Sequence, residues 1–474
     1  MQVLQAVMQQ SGVAFGTSGA RGLVSAMTDD VCAAYTQAFV RTVQRTFTFT
    51  QVAIAIDLRP SSLRIAEACA KMLRQLDLEV IFCGAIPTPA LALFAQNRHI
   101  PGIMVTGSHI PFDRNGLKFY RPDGEITKSD EADMLACELL PLFETATSLP
   151  AENNQAKEEY MQRYKMLLGD QALTGLKLAI YQHSSVGRDL IYTLLVDLGA
   201  EVICLERSDT FVPIDTEAVS AEDMQRGKDW SARYNVDAII STDGDGDRPL
   251  ISDEQGNWLR GDIVGLLTAK ALRISHLAVP VSCNTAIETS GFFKKVIRTR
   301  IGSPFVIAGM QELQGNGATS VAGFEANGGF LLGSGVPHAP ALESLPTRDA
   351  VLPIVTLLSE IKAQQKPLSD LVAALPQRFT ISDRLQNFPT EKSKTLLFNW
   401  IKNPADMLHT LQLQEVIVGV DTKDGFRVSM ESGRIVHLRP SGNAPEFRCY
   451  IEDSDQASAQ TLLCHVMGQL KILY

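Results

Sequence analysis

The sequence predicts an α/β protein of four domains: three related α/β domains with mostly parallel mixed sheets, then a C-terminal α+β domain with an antiparallel sheet. Three observations carry that reading. A strand, a polar loop, a helix and a second strand follow one another three times along the chain. The C-terminal region changes to short alternating segments separated by Gly-containing turns. The length, 474 residues, exceeds what one hydrophobic core supports and suits three or four domains.

In the first copy, residues 51–56 read as a strand, 57–62 as a polar loop, 63–76 as an amphipathic helix and 79–83 as the next strand. The same order returns at 177–181, 182–187, 188–198 and 201–205. A looser third copy has a strand at 277–281, a loop at 282–285, a helix running through Phe293 and a strand at 296–298. Units of this kind imply right-handed crossovers and parallel pairing under a cover of helices. No glycine fingerprint follows any of the leading strands, which argues against a dinucleotide-binding domain. Segments 415–420, 425–430, 434–439 and 447–452 then alternate as antiparallel strands, and 454–473 reads as a closing helix. The polar stretch 151–157 reads as a linker. The expected domains are 1–150, 151–255, 256–370 and 371–474.

Composition narrows the function. The chain is 45% hydrophobic and 20% charged with a net charge of −10, and it has no basic run, so nucleic acid is not an expected partner. No apolar run is long enough to span a bilayer, and the start, Met1 to Gln5, lacks the pattern of a signal peptide. Eight cysteines are scattered without a CxxC pair, several in apolar segments such as 202–205. They read as buried free thiols of a cytoplasmic protein.

The segment richest in chemistry is Ser241-Thr242-Asp243-Gly244-Asp245-Gly246-Asp247-Arg248, between the apolar stretches 238–240 and 249–251. A loop between two strands would aim three carboxylates at one spot. Such a cluster repels itself unless a cation cancels the charge, and oxygen-only ligands favour magnesium or calcium over zinc. A helix-loop-helix calcium site needs Gly at the sixth position, where Arg248 stands. A solvated acidic turn needs no strict Asp-Gly alternation. The remaining reading is an enzyme's magnesium site with Arg248 ready for an anion, which points to phosphoryl chemistry.

Four weaker loops accompany it. Thr106-Gly107-Ser108-His109-Ile110-Pro111, continuing to Asn115-Gly116-Leu117-Lys118, offers a serine nucleophile beside His109 and Lys118. No base and orienting group can be named for a hydrolase triad. Phe15 to Gly22 sets Arg21 among three glycines, a loop suited to phosphate. Glu325 and Asn327, in Gly323 to Gly329, pair an acid with an amide and suit sugar hydroxyls. Arg439, Ser441, Asn443 and Arg448 gather two guanidiniums, a hydroxyl and an amide around a turn, which is what a phosphate clamp requires.

Taken in order, these motifs resemble the α-D-phosphohexomutase family along the whole chain, bacterial phosphomannomutases above all. The family's Phe-Gly-Thr-Ser-Gly-x-Arg-Gly is matched at Phe15 to Gly22, and its Asp-Gly-Asp-Gly-Asp-Arg at Asp243 to Arg248. Its Thr-Ala-Ser-His-Asn-Pro is matched with Gly107 and Ile110 departing. Its Gly-Glu-x-Ser-Gly-His meets Gly329 in place of the histidine, whose role is then absent or supplied elsewhere, with His338 the candidate nearby. In the phosphate loop Asn443 and Ala444 depart.

The resemblance implies four domains around a central cleft and a mutase that interconverts hexose 1-phosphate and hexose 6-phosphate, most simply of mannose. Phosphoglucomutase and phosphoglucosamine mutase are the alternatives, and a non-catalytic sugar-phosphate-binding relative is the other class. It further implies a phosphoryl group on Ser108, Mg2+ held by Asp243, Asp245, Asp247 and that phosphoserine, and a hexose 1,6-bisphosphate intermediate and activator. Lys118 and His109 would be base and acid, and Arg21 and Arg248 would steady the phosphoryl group. Glu325 and Asn327 would read the sugar, and the partner would be a small phosphosugar. A monomer or homodimer is expected.

Overall fold

The structure is a computed structural model and describes residues 2–16, 18–140, 148–336, 338–339, 342–441 and 446–473. Its first three sheets share one strand arrangement. In the first, the central strand Gln51–Ile56 pairs parallel with Glu79–Ala85 on one side and Gly102–Val105 on the other. Gly102–Val105 then pairs antiparallel with Arg114–Arg121. In the second, Lys177–His183 lies parallel between Glu201–Arg207 and Ala238–Thr242, and the latter turns back into Pro249–Ile251. In the third, His276–Pro280 lies parallel between Lys295–Thr299 and Val321–Phe324, and the latter turns back into Phe330–Leu332.

This topology positions the functional loops. In each sheet one hairpin reverses the chain from a parallel to an antiparallel pairing. Those hairpins are the Ser108 loop, the acidic loop and the Glu325 loop. The strands entering them are buried along their whole length, as expected where both faces of a sheet are covered. Strand Leu345–Asp349 adds to the edge of the third sheet beyond Phe330–Leu332.

The C-terminal sheet runs Phe379–Gln386, Glu446–Asp453, Ile435–Pro440, Phe426–Met430, Ile417–Asp421, antiparallel throughout, with Gln456–Ile472 as its closing helix. One hydrophobic core runs through the first three sheets and includes Ala53, Tyr160, Ile240, Phe324 and Leu357. The C-terminal domain has its own, around Trp400, Phe426 and Phe447.

Three expectations are corrected. The third-copy helix spans only Ala286–Thr289 and stops short of Phe293, because Gly291, at φ +69°, turns the chain away. The helix Gln155–Leu168 begins inside the stretch read as a linker. Cys204 is exposed, because Glu201–Arg207 is an edge strand. Cys464 is exposed as well, and the other six cysteines are buried. Among the described residues no helix is long and apolar enough to cross a membrane.

Candidate active site

Ser108 sits in its hairpin at φ 53°, a left-handed conformation that costs a non-glycine residue about 1–3 kcal/mol unless its surroundings impose it. The surroundings do so. The Ser108 amide donates to Thr106 Oγ1 at 2.7 Å, and that hydroxyl donates to Asp57 Oδ2 at 2.7 Å. Arg59, paired with Asp57 at 3.1 Å, donates to the carbonyls of Ser108, Ile110, Pro111 and Arg114 at 2.6–2.9 Å. A β-carbon on Gly107 would lie 2.6 Å from Arg59 Cζ, so glycine at this position makes room for the arginine.

The acidic loop meets this serine from the second sheet. The Ser108 hydroxyl donates to Asp243 Oδ2 at 2.7 Å. One ligand atom from each of Asp243, Asp245 and Asp247 lies within 4.8 Å of the others, and all three residues are buried. Lys118 Nζ reaches Asp245 Oδ2 and Asp247 Oδ2, each at 2.6 Å, and the Thr88 hydroxyl donates to Asp245 Oδ2 at 2.8 Å. Asp245 Oδ1 and Asp247 Oδ1 are buried without a hydrogen-bond partner. Burial and its two carboxylate neighbours push Asp243 well above the usual carboxylate range. Burial pushes the other two the same way, but Lys118 holds Asp245, and Arg348 holds Asp247, below it. Three buried carboxylates, two of them with an orphaned oxygen, fit a hard divalent cation.

Cations crowd the other side. Arg248 Nη1 donates to His109 Nδ1 at 2.9 Å, and Ser108 Oγ lies 3.5 Å from that nitrogen. Burial, then Arg248 and Arg21, drive His109 well below the ordinary histidine range, so the ring is neutral. Burial and the neighbouring Arg248 lower Arg21 to about 10. Guanidiniums gathered beside one another suit a polyanion between them.

The sugar-loop residues Glu325 and Asn327 are buried nearby. Asn327 Oδ1 accepts from the Gly329 amide at 3.0 Å, and Glu325 Oε2 accepts from Arg348 Nη1 at 3.1 Å. His338 is exposed, and the group packed on Gly329 is Arg348. In the C-terminal sheet Arg439 and Arg448 are directly opposite each other on adjacent strands. Both Nε atoms are buried without a hydrogen bond, although Arg439 Nε lies 3.1 Å from Asp424 Oδ1. Ser441 stands at the end of the same strand, its amide donating to the Glu446 carbonyl at 2.8 Å. Asn443 lies outside the described residues. Half-buried Glu217 is pushed up by burial and Asp215, and the charges of Arg260, Arg448 and Arg248 oppose the shift.

Sequence reasoning missed Asp57, Arg59, Thr88, Glu217 and Arg348. A signal existed for the first pair, since Asp57-Leu58-Arg59 begins the polar loop after a leading strand. Arg348 gave none, lying in a strand distant in sequence from both partners.

The chain resembles known proteins along its whole length. Four domain families described as phosphoglucomutase/phosphomannomutase match the chain: alpha/beta/alpha domain I over residues 12–138, domain II over 158–256, domain III over 260–379 and the C-terminal domain over 392–467. The chain belongs to the phosphoglucomutase/phosphomannomutase family. Within it, the chain is 49% identical to a Salmonella muenchen protein named phosphomannomutase, over 98% of this chain and 97% of that one. It is 42% identical to a Sinorhizobium fredii protein of the same name, over 97% and 99%. The fold matches a Burkholderia thailandensis family member with a TM-score of 0.73 at 20% identity, covering 99% of this chain and 98% of that one.

Proposed function

We propose that this chain is a phosphohexomutase that moves a phosphoryl group between the 1- and 6-hydroxyls of a hexose, acting on mannose phosphates. The observation that carries the reading is the Ser108 hydroxyl, 2.7 Å from Asp243 in a pocket of three carboxylates faced by arginines. Mannose is favoured because the relatives at 49% and 42% identity are named phosphomannomutase, whereas the phosphoglucosamine mutases among the relatives stand at 25–27%.

In this reading Ser108 carries a phosphoryl group at rest. A free hydroxyl of the hexose phosphate attacks phosphorus, the bond from phosphorus to Ser108 Oγ breaks, and a 1,6-bisphosphate results. The sugar turns over, and its other phosphoryl group returns to Ser108. Lys118, once its ammonium has given up a proton, takes and returns the hydroxyl proton. His109 is the candidate acid; its Nδ1 accepts from Arg248, which leaves its Nε2–H to donate a hydrogen bond to the reacting oxygen. Arg21 and Arg248 steady the phosphoryl group, Glu325 and Asn327 read hydroxyls, and Arg439, Ser441, Asn443 and Arg448 hold the idle phosphate. Asp243, Asp245, Asp247 and an oxygen of phosphorylated Ser108 would hold Mg2+, which when bound supplies charge neutralisation for the phosphoryl group. The enzyme works in the cytoplasm, with a hexose 1,6-bisphosphate as activator.

The test is isomerisation of mannose 1-phosphate, glucose 1-phosphate and glucosamine 1-phosphate side by side, with Mg2+ and a trace of glucose 1,6-bisphosphate. Mannose 1-phosphate should turn over fastest, and Ser108→Ala should lower the rate by at least about a thousandfold. Asp245→Asn should flatten the Mg2+ titration. Near-normal turnover by Ser108→Ala would remove the nucleophile assignment, and preference for another sugar would move the substrate.

A further inference from the structure

Gly329 is buried, and no positive φ requires glycine there. Its reason is steric. A β-carbon at this position would lie 2.5 Å from Arg348 Cδ, 2.7 Å from Cγ and 3.0 Å from Cβ. The arginine stem fills the space the missing side chain leaves.

The head group of Arg348 joins two loops that have no covalent reason to know of each other. Its Nε donates to Asp247 Oδ2 of the acidic loop at 3.0 Å, and its Nη1 donates to Glu325 Oε2 of the sugar loop at 3.1 Å. The side chain is 3% exposed. Burying a guanidinium is costly unless it is well paired, and here each carboxylate comes from a different domain. Arg348 and Lys118 both take Oδ2 of Asp247, so Oδ1 is left without a hydrogen bond, 3.7 Å from Arg248 Nε.

The strand around Arg348 is pinned on both sides. Thr347 Oγ1 donates to Glu125 Oε1 at 2.7 Å. Asp349 accepts from the hydroxyls of Tyr160, at 2.7 Å, and Tyr164, and from the amides of Val351 and Leu352 at the start of the following helix. A planar fork held this firmly cannot change one partner without disturbing the other.

We propose that Arg348, lodged against Gly329, is a positioning residue that couples the metal loop to the sugar loop through Asp247 and Glu325. The proposal rests on the mutase reading above. Divalent-cation binding at the acidic loop and phosphosugar binding at Glu325 then reinforce each other, and the pairing of glycine at 329 with arginine at 348 is a single device.

The experiment compares wild type, Gly329→Ala, Arg348→Ala and the double variant. Alanine at 329 is allowed by the backbone, and the atoms its β-carbon would meet first are those of Arg348. Mn2+ affinity is measured by electron paramagnetic resonance with and without mannose 6-phosphate, beside kcat and the melting temperature. Wild type should bind Mn2+ at least about fivefold tighter with the sugar phosphate present. In each single variant that ratio should fall to about one, and kcat should fall on the order of a hundredfold. In the Arg348→Ala background the glycine substitution should add nothing further.

Independent, multiplying losses would overturn the proposal. So would variants that lose only melting temperature and keep kcat and the Mn2+ ratio, because that is the signature of a plain structural ion pair. A wild-type protein that isomerises mannose 1-phosphate without metal–sugar coupling overturns this inference alone. One that isomerises no sugar phosphate overturns the reading beneath it.

Discussion

Single residues in this molecule are tuned by burial more than by sequence neighbours. His183 and His437 show it in two different domains. Burial lowers each to about 4 from the ordinary 6.5, only partly opposed by the carbonyls of Thr242 and Asp424 that each ring meets. The sign follows from linkage. Below pH 6.5 the unfolded chain takes up a proton at each histidine, while the folded chain stays neutral until about pH 4. Stability is therefore complete above pH 6.5 and is lost as pH falls toward 4, by up to about 3 kcal/mol for each ring. His437→Gln should show a smaller drop in melting temperature between pH 6.5 and 4 than wild type. Equal drops would mean that His437 is not the proton acceptor. The departures from the family motif are residue-scale facts of the same kind: Gly107 and Gly329 are small because Arg59 and Arg348 lie against them.

At the scale of elements, the recurring unit is a leading strand, the loop after it and a hairpin beside it. In the first sheet the loop carries Asp57 and Arg59, and they hold the Ser108 hairpin by its carbonyls. In the second, Val186 donates to the Gly244 carbonyl at 3.1 Å and Ser185 shares a hydrogen bond with Thr242 at 2.6 Å. A loop that scaffolds catalysis without touching it should affect rate more than binding. Arg59→Met is expected to lower kcat about a hundredfold with KM little changed, since Ser108 would lose its strained placement. Steady-state kinetics on mannose 1-phosphate would decide, and an unchanged kcat would count against the scaffold. Much of this unit can be read from sequence, because apolar runs such as 238–240 and 249–251 frame each functional loop. What escaped has physical reasons. Strand Phe379–Gln386 carries Ser382, Asp383 and Arg384 on a sheet edge, where charge is tolerated and the alternating signal fades. The third-copy helix was overestimated because Gly291 ends it early. Arg348 was missed because its partners Asp247 and Glu325 are near only in space.

The whole molecule divides where its cores divide. The first three sheets share one apolar core, and the C-terminal domain packs around another. Polar contacts mark the junction. Thr285 bonds Glu452, and the Asn284 side-chain amide donates to Thr380 Oγ1 at 3.0 Å. Arg300 Nε donates to the Lys423 carbonyl at 3.0 Å, and the Ile301 amide donates to Asp424 Oδ2 at 2.9 Å. Bonds of this sort exchange with water at a modest net cost, about 1–3 kcal/mol each, whereas separating a shared apolar core would not. The buried Nε of Arg448, without a hydrogen bond, and the like charge of Arg439 directly opposite it supply a reason to move, since an arriving phosphate would satisfy both guanidiniums. The C-terminal domain should therefore close on a bound phosphosugar by turning about this junction while the other three move as one body. Small-angle scattering should show a smaller radius of gyration with saturating mannose 6-phosphate, and the change should vanish in Arg439→Ala/Arg448→Ala. Superimposable curves with and without ligand in the wild type would mean that the clamp is already in place and that the divided core serves stability alone.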